Sequence, residues 1–509
     1  MDPQKPILVI GATGYVGNRL IPSLLTAGWR VRAMVRSWTA AAVRPWAQDP
    51  RLELVRGDVL DSAALLKACQ GCAAAYYLVH SMISRKSRYV EADRRAARNM
   101  CRAAETSGLN RIIYLSGLGA RDDARLSRHL ASRHEVGDLL AAGTVPVITL
   151  RAAMILGSGS ASFEILRHLV DRLPVMITPR WVSTPTQPIA IADVLNYLTG
   201  SLAIDIGGHT AFDIGGPDIV TYRDLIAIYA EEAGLPTRRI LPVPVLTPRL
   251  SAAWIHLVTP VPAAIARPLT EGLGVPTVCS ENRIRGILPA ELKSCRDAIR
   301  LALQEGLTEA AVCLPEHAAG RPAEWSACGD AGYAGSTEFS LHYWIRARSA
   351  PEQLWPWIEG IGGARGYYFA QALWRLRGYL DCLAGGPGLK RGGCALPLRP
   401  GAVFDFWRVV RVQPNRELQL VSEMRAPGQA LLCFELTPRE TGCEIHLKAF
   451  FRPHGLGGML YWIFCLPVHD WLFRGLLRAL ARRGGDPQVG RVRGASAAKR
   501  TPEARSRVS

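Results

Sequence analysis

The order of apolar runs predicts an α/β chain in two parts: a doubly wound parallel sheet over residues 1–310, then an α+β unit over 337–483 whose antiparallel sheet is closed by a long helix. Three observations carry that reading. Near-continuous apolar strands alternate with helical segments through the first part, a glycine turn follows the first strand, and beyond residue 336 the runs alternate at period two between short turns. Unbroken apolar strands belong in a parallel sheet covered on both faces, because parallel neighbours need long crossovers that lay helices over the sheet. Period-two runs joined by tight turns belong to an antiparallel meander.

Residues 6–10 are a short apolar run rich in branched side chains. Gly11-Ala12-Thr13-Gly14-Tyr15-Val16-Gly17 carries that run into a helix with apolar periodicity from Leu20 to Leu25. Residues 30–35 and 52–55 give the second and third strands; Gly57-Asp58-Val59 closes the third, and Asp61-Ser62 caps the next helix. Residues 73–79 form the fourth strand, 90–105 a long helix ending near Gly108, 111–116 the fifth strand and 145–151 the sixth.

The glycine turn carries the first chemistry. A dinucleotide's pyrophosphate needs backbone amides aimed at it over the positive end of a helix, where side chains must be minimal. Gly11 makes the turn, Gly14 admits the phosphate, and Gly17 lets helix and strand pack. Their place, directly after the first strand, makes the first part a Rossmann-type domain that binds NAD(P). The second strand ends in Arg36-Ser37 with no acid to hold the ribose hydroxyls or repel a 2′-phosphate, so NADP(H) is expected over NAD(H). A solvated surface charge is the other reading of Arg36, and a turn acid leading a helix is the other reading of Asp58.

The spacing Gly-x-x-Gly-x-x-Gly, with Thr13 and Tyr15, resembles the extended and atypical branches of the short-chain dehydrogenase/reductase superfamily. Residues 77–82, Tyr114-Leu115-Ser116-Gly117, Leu150-Arg151-Ala152, 186–194 and 212–217 are similar to segments of bacterial NAD(P)-binding proteins of the nucleoside-diphosphate-sugar epimerase-like group. The resemblance implies cofactor contacts from Gly11, Ala12, Thr13, Gly14, Tyr15, Val16 and Gly17, from Arg36 and Ser37, from Asp58 and Val59 beside the adenine, and from Leu78, Val79 and Ser116.

The resemblance breaks at catalysis. Active members pair a Tyr with a Lys four residues later, and this chain has no Tyr-x-x-x-Lys. Counting the family's usual separation from Ser116 reaches His129, with Arg133 on the same helix face. Imidazole serves as acid or base near neutrality, and a guanidinium can orient a ribose or offset negative charge. The catalytic candidates are therefore Ser116, His129 and Arg133. The competing reading is a surface helix in a chain that has lost catalysis. Residues 155–300 are expected to supply the sheet's edge and a substrate cap, with Glu164, Trp181 and Gln187 lining the site.

Residues 311–336 read as a linker. The order beyond them is a strand from Phe339, helices at 351–359 and 367–383, strands at 403–412, 417–424, 430–436 and 443–451, and a helix over 458–483. This is the order of the START-like helix-grip fold, whose members often hold an apolar ligand between sheet and helix. Residues 373–378, 407–409 and 423–428 look like a bacterial domain of unknown function that commonly follows this kind of NAD(P)-binding module. Trp374, Trp407 and Trp462 read as pocket or as core; Arg375, Arg377, Arg408 and Glu423 read as ion pairs or as contacts to an anionic ligand.

The 49% hydrophobic content is that of a globular chain, and the net charge of +18 is spread along it. Charge concentrates only at 484–509, read as a disordered basic tail able to meet anionic lipid or nucleic acid by charge alone, with no specific nucleic-acid recognition. The 12 cysteines are scattered, and Cys69 and Cys72 lack a second pair at zinc spacing, so no metal site is expected and reduced thiols in a cytoplasm are. The opening residues lack signal-peptide features. The most apolar run, 459–468, is interrupted by Pro467 and followed by His469 and Asp470, and reads as a buried terminal helix, with peripheral contact at the inner membrane face as the alternative. The expected function is that of an atypical oxidoreductase or epimerase-like protein acting on a small, hydrophobic substrate; the alternative is a nucleotide-sensing or scaffold protein that holds NADP(H) without turnover. Oligomeric state is left open.

Overall fold

The computed structural model describes residues 2, 4–42, 44–79, 89–120, 126–205, 207–243, 255, 258, 259, 261, 263–312, 339–389, 396–486 and 490–497. These fall into two compact units, one ending at Val312 and the other beginning at Phe339. Most of the expected linker, the end of the 77–82 motif and the last twelve positions of the basic tail lie outside the described residues.

In the first unit β1 (Ile7–Ile10), β2 (Val31–Val35), β3 (Leu52–Arg56), β4 (Ala74–Tyr77), β5 (Arg111–Gly117), β6 (Val147–Ala152) and β7 (Thr210–Ile214) form one sheet in the order β7-β6-β5-β4-β1-β2-β3. Every pairing is parallel. The helices are α1 (Tyr15–Thr26), α2 (Ser62–Cys69), α3 (Tyr89–Ser107), α4 (Arg128–Ala141), α5 (Ala161–Arg172), α6 (Ile191–Gly200), α7 (Tyr222–Glu232), α8 (Ala263–Gly272) and α9 (Cys295–Val312). β1 explains its own unbroken hydrophobicity. Ile7 and Val9 pack with Leu20 and Leu24 of α1 and Leu198 of α6, whereas Leu8 and Ile10 pack with Leu65 of α2, Met100 of α3 and Leu140 of α4. Both faces are covered, so each position must be apolar. The chain leaves β1 toward β2 and β3 on one side and returns at β4 on the other, which opens a crevice at the carboxyl ends of β1 and β4.

In the second unit β8 (Phe339–Ala347), β9 (Val403–Phe404), β10 (Trp407–Gln413), β11 (Glu417–Ser422), β12 (Gly428–Pro438), β13 (Cys443–Pro453) and β14 (Arg493–Ala497) pair antiparallel in the order β9-β10-β11-β12-β13-β8-β14. α10 (Pro351–Glu359) and α11 (Gln371–Leu383) precede the meander, and α12 (Gly455–Arg483) closes it. Trp462, Phe473, Leu476 and Leu480 of α12 share one core with Leu341, Ile345 and Leu447 of the sheet, a helix-grip-like arrangement. The strand expected at 403–412 breaks at Asp405, whose φ of 45° turns the chain and whose carboxylate accepts from the Gly363 amide at 2.9 Å and the Tyr367 hydroxyl at 2.8 Å.

Two expectations change here. Residues 493–497, read as part of a disordered tail, form β14 and pair with β8 from Ser340 to Trp344. The open edge of β8 offers backbone partners whatever the side chains are, and Gly494 lets the added strand lie over Tyr343, where a Cβ would come within 2.6 Å of the ring. α12, read as a buried terminal helix, also leaves Leu460, Ile463, Phe464, Val468 and Trp471 exposed. Among the described residues it is the one helix long and apolar enough to cross a membrane. Trp374, Trp407 and Trp462 prove to be core: Trp374 stacks on Tyr367 at 4.1 Å and Trp462 on Phe451 at 5.0 Å. Arg408 pairs with Glu423 at 3.0 Å, and Arg377 lies 5.1 Å from the Tyr461 ring.

Candidate nucleotide and substrate site

The crevice at the ends of β1 and β4 is floored by the glycine turn. Gly11 has φ +90°, and a Cβ on it would meet the Leu78 carbonyl oxygen at 2.9 Å; one on Gly17 would meet the Gly11 carbonyl at 2.3 Å. The turn tolerates no side chain at either place. Gly14 is the N-cap of α1 without a side-chain cap, and no acid stands in the first turn. Helix-end amides are thus left to a ligand in a field that favours an anion. Bare backbone and uncapped helix fit a dinucleotide's pyrophosphate. Leu78 stands opposite Gly11, its amide bonded to the Ile10 carbonyl at 3.0 Å, whereas Val79 packs against the core that holds Leu8 and Ile10.

Arg36 and Ser37 are exposed just past β2. The sequence reading missed Arg44, one of whose guanidinium nitrogens donates to the Thr13 carbonyl at 3.2 Å and so brings a second cation onto the glycine turn. Only a tertiary contact reveals it, because nothing in the spacing of residues 36–44 fixes where the loop folds back. After β3, Asp58 accepts from the Leu60 amide at 2.9 Å and shapes the turn into α2, while the Val59 carbonyl accepts from Asn99 at 3.0 Å.

Ser116, His129 and Arg133 do come together. All three line a cavity of about 470 Å³ that also touches Gly11, Gly14, Tyr15, Val16, Gly17 and Leu78. Ser116 lies near the carboxyl end of β5, buried, with its hydroxyl 3.4 Å from the Arg133 carbonyl. The Arg133 guanidinium donates to the Leu115 carbonyl, and its buried Nε has no hydrogen-bond partner among the described residues. His129 departs from expectation. Burial, reinforced by the Arg133 charge, pushes its imidazole down to about 3, so it is neutral near pH 7 and is not the titrating acid that an unperturbed histidine would be.

Beyond this junction the cavity is apolar, walled by Leu166 of α5, Leu225 and Ile226 of α7, and Leu269 of α8. Trp181 lines it, edge-on to Tyr222 at 5.8 Å. Glu164 and Gln187, expected beside it, are scaffold. The Glu164 carboxylate is fully buried, accepts from the Gly159 amide at 2.9 Å and sits 3.4 Å from His168. Gln187 donates to the Gly216 carbonyl at 2.8 Å and accepts from the Cys279 amide at 3.0 Å, pinning two loops. Both ends of the Gln187 amide and one Glu164 oxygen are taken by main chain, the other Glu164 oxygen faces His168 and Arg167, and neither residue lines the cavity. Among the described residues no cluster of His, Cys, Asp or Glu is arranged to hold a metal. Burial pushes the Cys69 and Cys72 thiols up to about 12 and about 11, so both stay protonated.

Residues 11–154 match a family described as NAD(P)H-binding, and residues 333–476 match a protein family of unknown function, DUF2867. The chain thus joins a Rossmann unit that matches an NAD(P)H-binding family to a unit that matches an uncharacterised one. Ceramide reductase of Caulobacter vibrioides is 32% identical over 179 residues, 34% of this chain and 54% of that protein. Cinnamoyl-CoA reductase 1 of Oryza sativa subsp. japonica is 34% identical over 121 residues, 23% of this chain and 36% of the relative. The chain thus spans about half or less of the length of these two relatives. Among solved structures, the triphenylmethane reductase of Citrobacter sp. is 16% identical with a TM-score of 0.47, covering 59% of this chain and 99% of that one. The matched part of the first unit is thus similar in sequence to reductases named for different small substrates.

Proposed function

We propose that the Rossmann unit is an NADP(H)-dependent reductase of an apolar carbonyl compound. The observation that carries this reading is the single cavity that joins the glycine turn to an apolar chamber, with Ser116, His129 and Arg133 at the junction. The reductase names of the relatives support the reaction class. A bound nicotinamide would supply the hydride. Arg36 and Arg44 would hold a 2′-phosphate by charge-assisted hydrogen bonds, and the glycine turn would hold the pyrophosphate. Arg133, permanently cationic and with Nε unpaired, stabilises the oxyanion that forms on the carbonyl oxygen. Ser116 turns its hydroxyl from the Arg133 carbonyl to the substrate oxygen, neutral His129 polarises that oxygen through its N–H, and the alkoxide left by hydride transfer takes the Ser116 proton, which the serine regains from water. Trp181 and the aliphatic walls select an apolar substrate.

Calorimetric titration with NADPH and NADH tests the cofactor, and NADPH oxidation across aldehydes and ketones tests the reaction. Arg36→Ala and Arg44→Ala are each expected to weaken NADPH about tenfold or more while sparing NADH, the scale of one charge-assisted contact. Arg133→Met is expected to lower kcat by about 10²-fold, as removal of an oxyanion donor does. The second reading, a sensor or scaffold, rests on the missing Tyr-x-x-x-Lys. Tight NADPH binding with no turnover on any carbonyl would replace the reductase with it.

A further inference from the structure

Two helices of the second unit carry an apolar surface that its core does not use. α11 turns Trp374, Gly378 and Asp381 inward and presents Leu373, Leu376, Leu380 and Leu383 outward, at spacings of three and four. α12 presents Leu460, Ile463, Phe464, Val468 and Trp471 in the same way, with Phe464 79% exposed. With Tyr379, these make ten of the eighteen large hydrophobic side chains exposed among the described residues, so this is a concentration and not scatter. The helices are neighbours. Arg377 of α11 lies over Tyr461 of α12, and Phe369, two residues before α11, is 4.7 Å from Trp471.

Exposed charge beside this face is mainly cationic. Of the six arginines on α11 and α12, Arg375 and Arg377 flank it and the other four lie beyond Trp471; both aspartates of the two helices are engaged. Asp381 is buried and accepts from the amides of Gly388 and Arg425; Asp470 accepts from the Tyr343 hydroxyl and Arg474. Arg375 on α11 and Arg425 beside it remain exposed. An apolar face with exposed Tyr and Trp and a cationic margin is complementary to the headgroup region of an anionic bilayer. A spanning orientation is at odds with packing, since Trp462, Leu472, Phe473, Leu476, Leu477 and Leu480 hold the other side of α12 against the sheet.

We propose that α11 and the first half of α12 form a membrane-docking face that lies on an anionic lipid surface. Residues 493–497 of the basic tail are an edge strand of the sheet and not part of this face. Co-sedimentation of the full chain with phosphatidylcholine vesicles, with and without phosphatidylglycerol, tests this. Retention is expected on the anionic vesicles and little on the neutral ones. The double variant Leu376→Ser, Phe464→Ser is expected to lower the partition coefficient by about tenfold or more, since both side chains would lie in the acyl boundary. Arg375→Glu with Arg425→Glu removes the charge and keeps the apolar face, and is expected to lower retention on anionic vesicles alone. Unchanged near-ultraviolet circular dichroism shows that the variants are folded. Equal retention of wild type and variants overturns the proposal. So does a wild type that ignores vesicles but sediments as a dimer dispersed by Leu376→Ser and Phe464→Ser, for the face is then a contact between copies.

Discussion

Gly17 illustrates how much one hydrogen atom in place of a methyl group decides. A Cβ there would meet the Gly11 carbonyl oxygen at 2.3 Å, the Gly11 carbon at 2.9 Å and Ala12 Cα at 3.0 Å, all backbone, so Gly17→Ala must move the turn itself. The expected cost is on the order of 1–3 kcal/mol, felt mainly as weaker NADPH binding and read by titration. His129 shows the opposite case, a residue whose type is informative and whose state is not. Burial and Arg133 keep it neutral, so log kcat/KM for carbonyl reduction is expected to stay flat from pH 5 to 8 and His129→Gln to retain that flatness. A break near pH 6.5 that His129→Gln abolishes would return it to the role of titrating acid. The position of His129 was legible from its separation to Ser116, but its protonation depends on how deeply α4 sets it into the cavity wall.

At the scale of elements, β14 shows why a basic, small-residue segment conceals a strand. It contributes backbone to the edge of β8 and little side-chain pattern, while Val492 just before it is buried and its carbonyl accepts from Arg474 at 3.1 Å. Ending the chain at residue 489 is expected to destabilise the second unit by about 1–3 kcal/mol, roughly one buried valine plus an edge ladder, measured as a lower denaturation midpoint. A tail without structural role would leave the midpoint unchanged. The strands of the first sheet were legible for the converse reason. Burial on both faces forces an apolar residue at every position of β1 and β4, so composition alone marks the middle of the sheet. Helix α12 was legible as a helix but not as a two-sided one, because its apolar residues cover more of its circumference than the core can bury.

For the whole molecule, the two units have separate cores and only the first carries the nucleotide site. Saturating NADPH is accordingly expected to raise the unfolding temperature of the first unit and leave that of the second in place, by calorimetry. Acid should weaken both. Burial lowers His129 and His168 in the first unit, and His446 and His469 in the second, with His469 pushed down to about 4. A pKa depressed on folding contributes stability that is complete above the unfolded value near 6.5 and is lost as pH falls toward the folded value. Both unfolding temperatures are therefore expected to fall between pH 7 and 4, with His469→Phe reducing the slope for the second unit only.

The sequence by itself determined the order of elements, the parallel and antiparallel character of the two sheets, and the glycine turn, because periodicity and minimal side chains are local properties. Tertiary structure decided which polar groups remain available. It spent Gln187 on main-chain partners and Glu164 on Gly159, His168 and Arg167, folded Arg44 back onto Thr13, set Ser116, His129 and Arg133 around one cavity, and left half of α12 outside the core. Each of those outcomes depends on residues far apart in the chain competing for the same partners and the same buried space, and no local pattern records who wins.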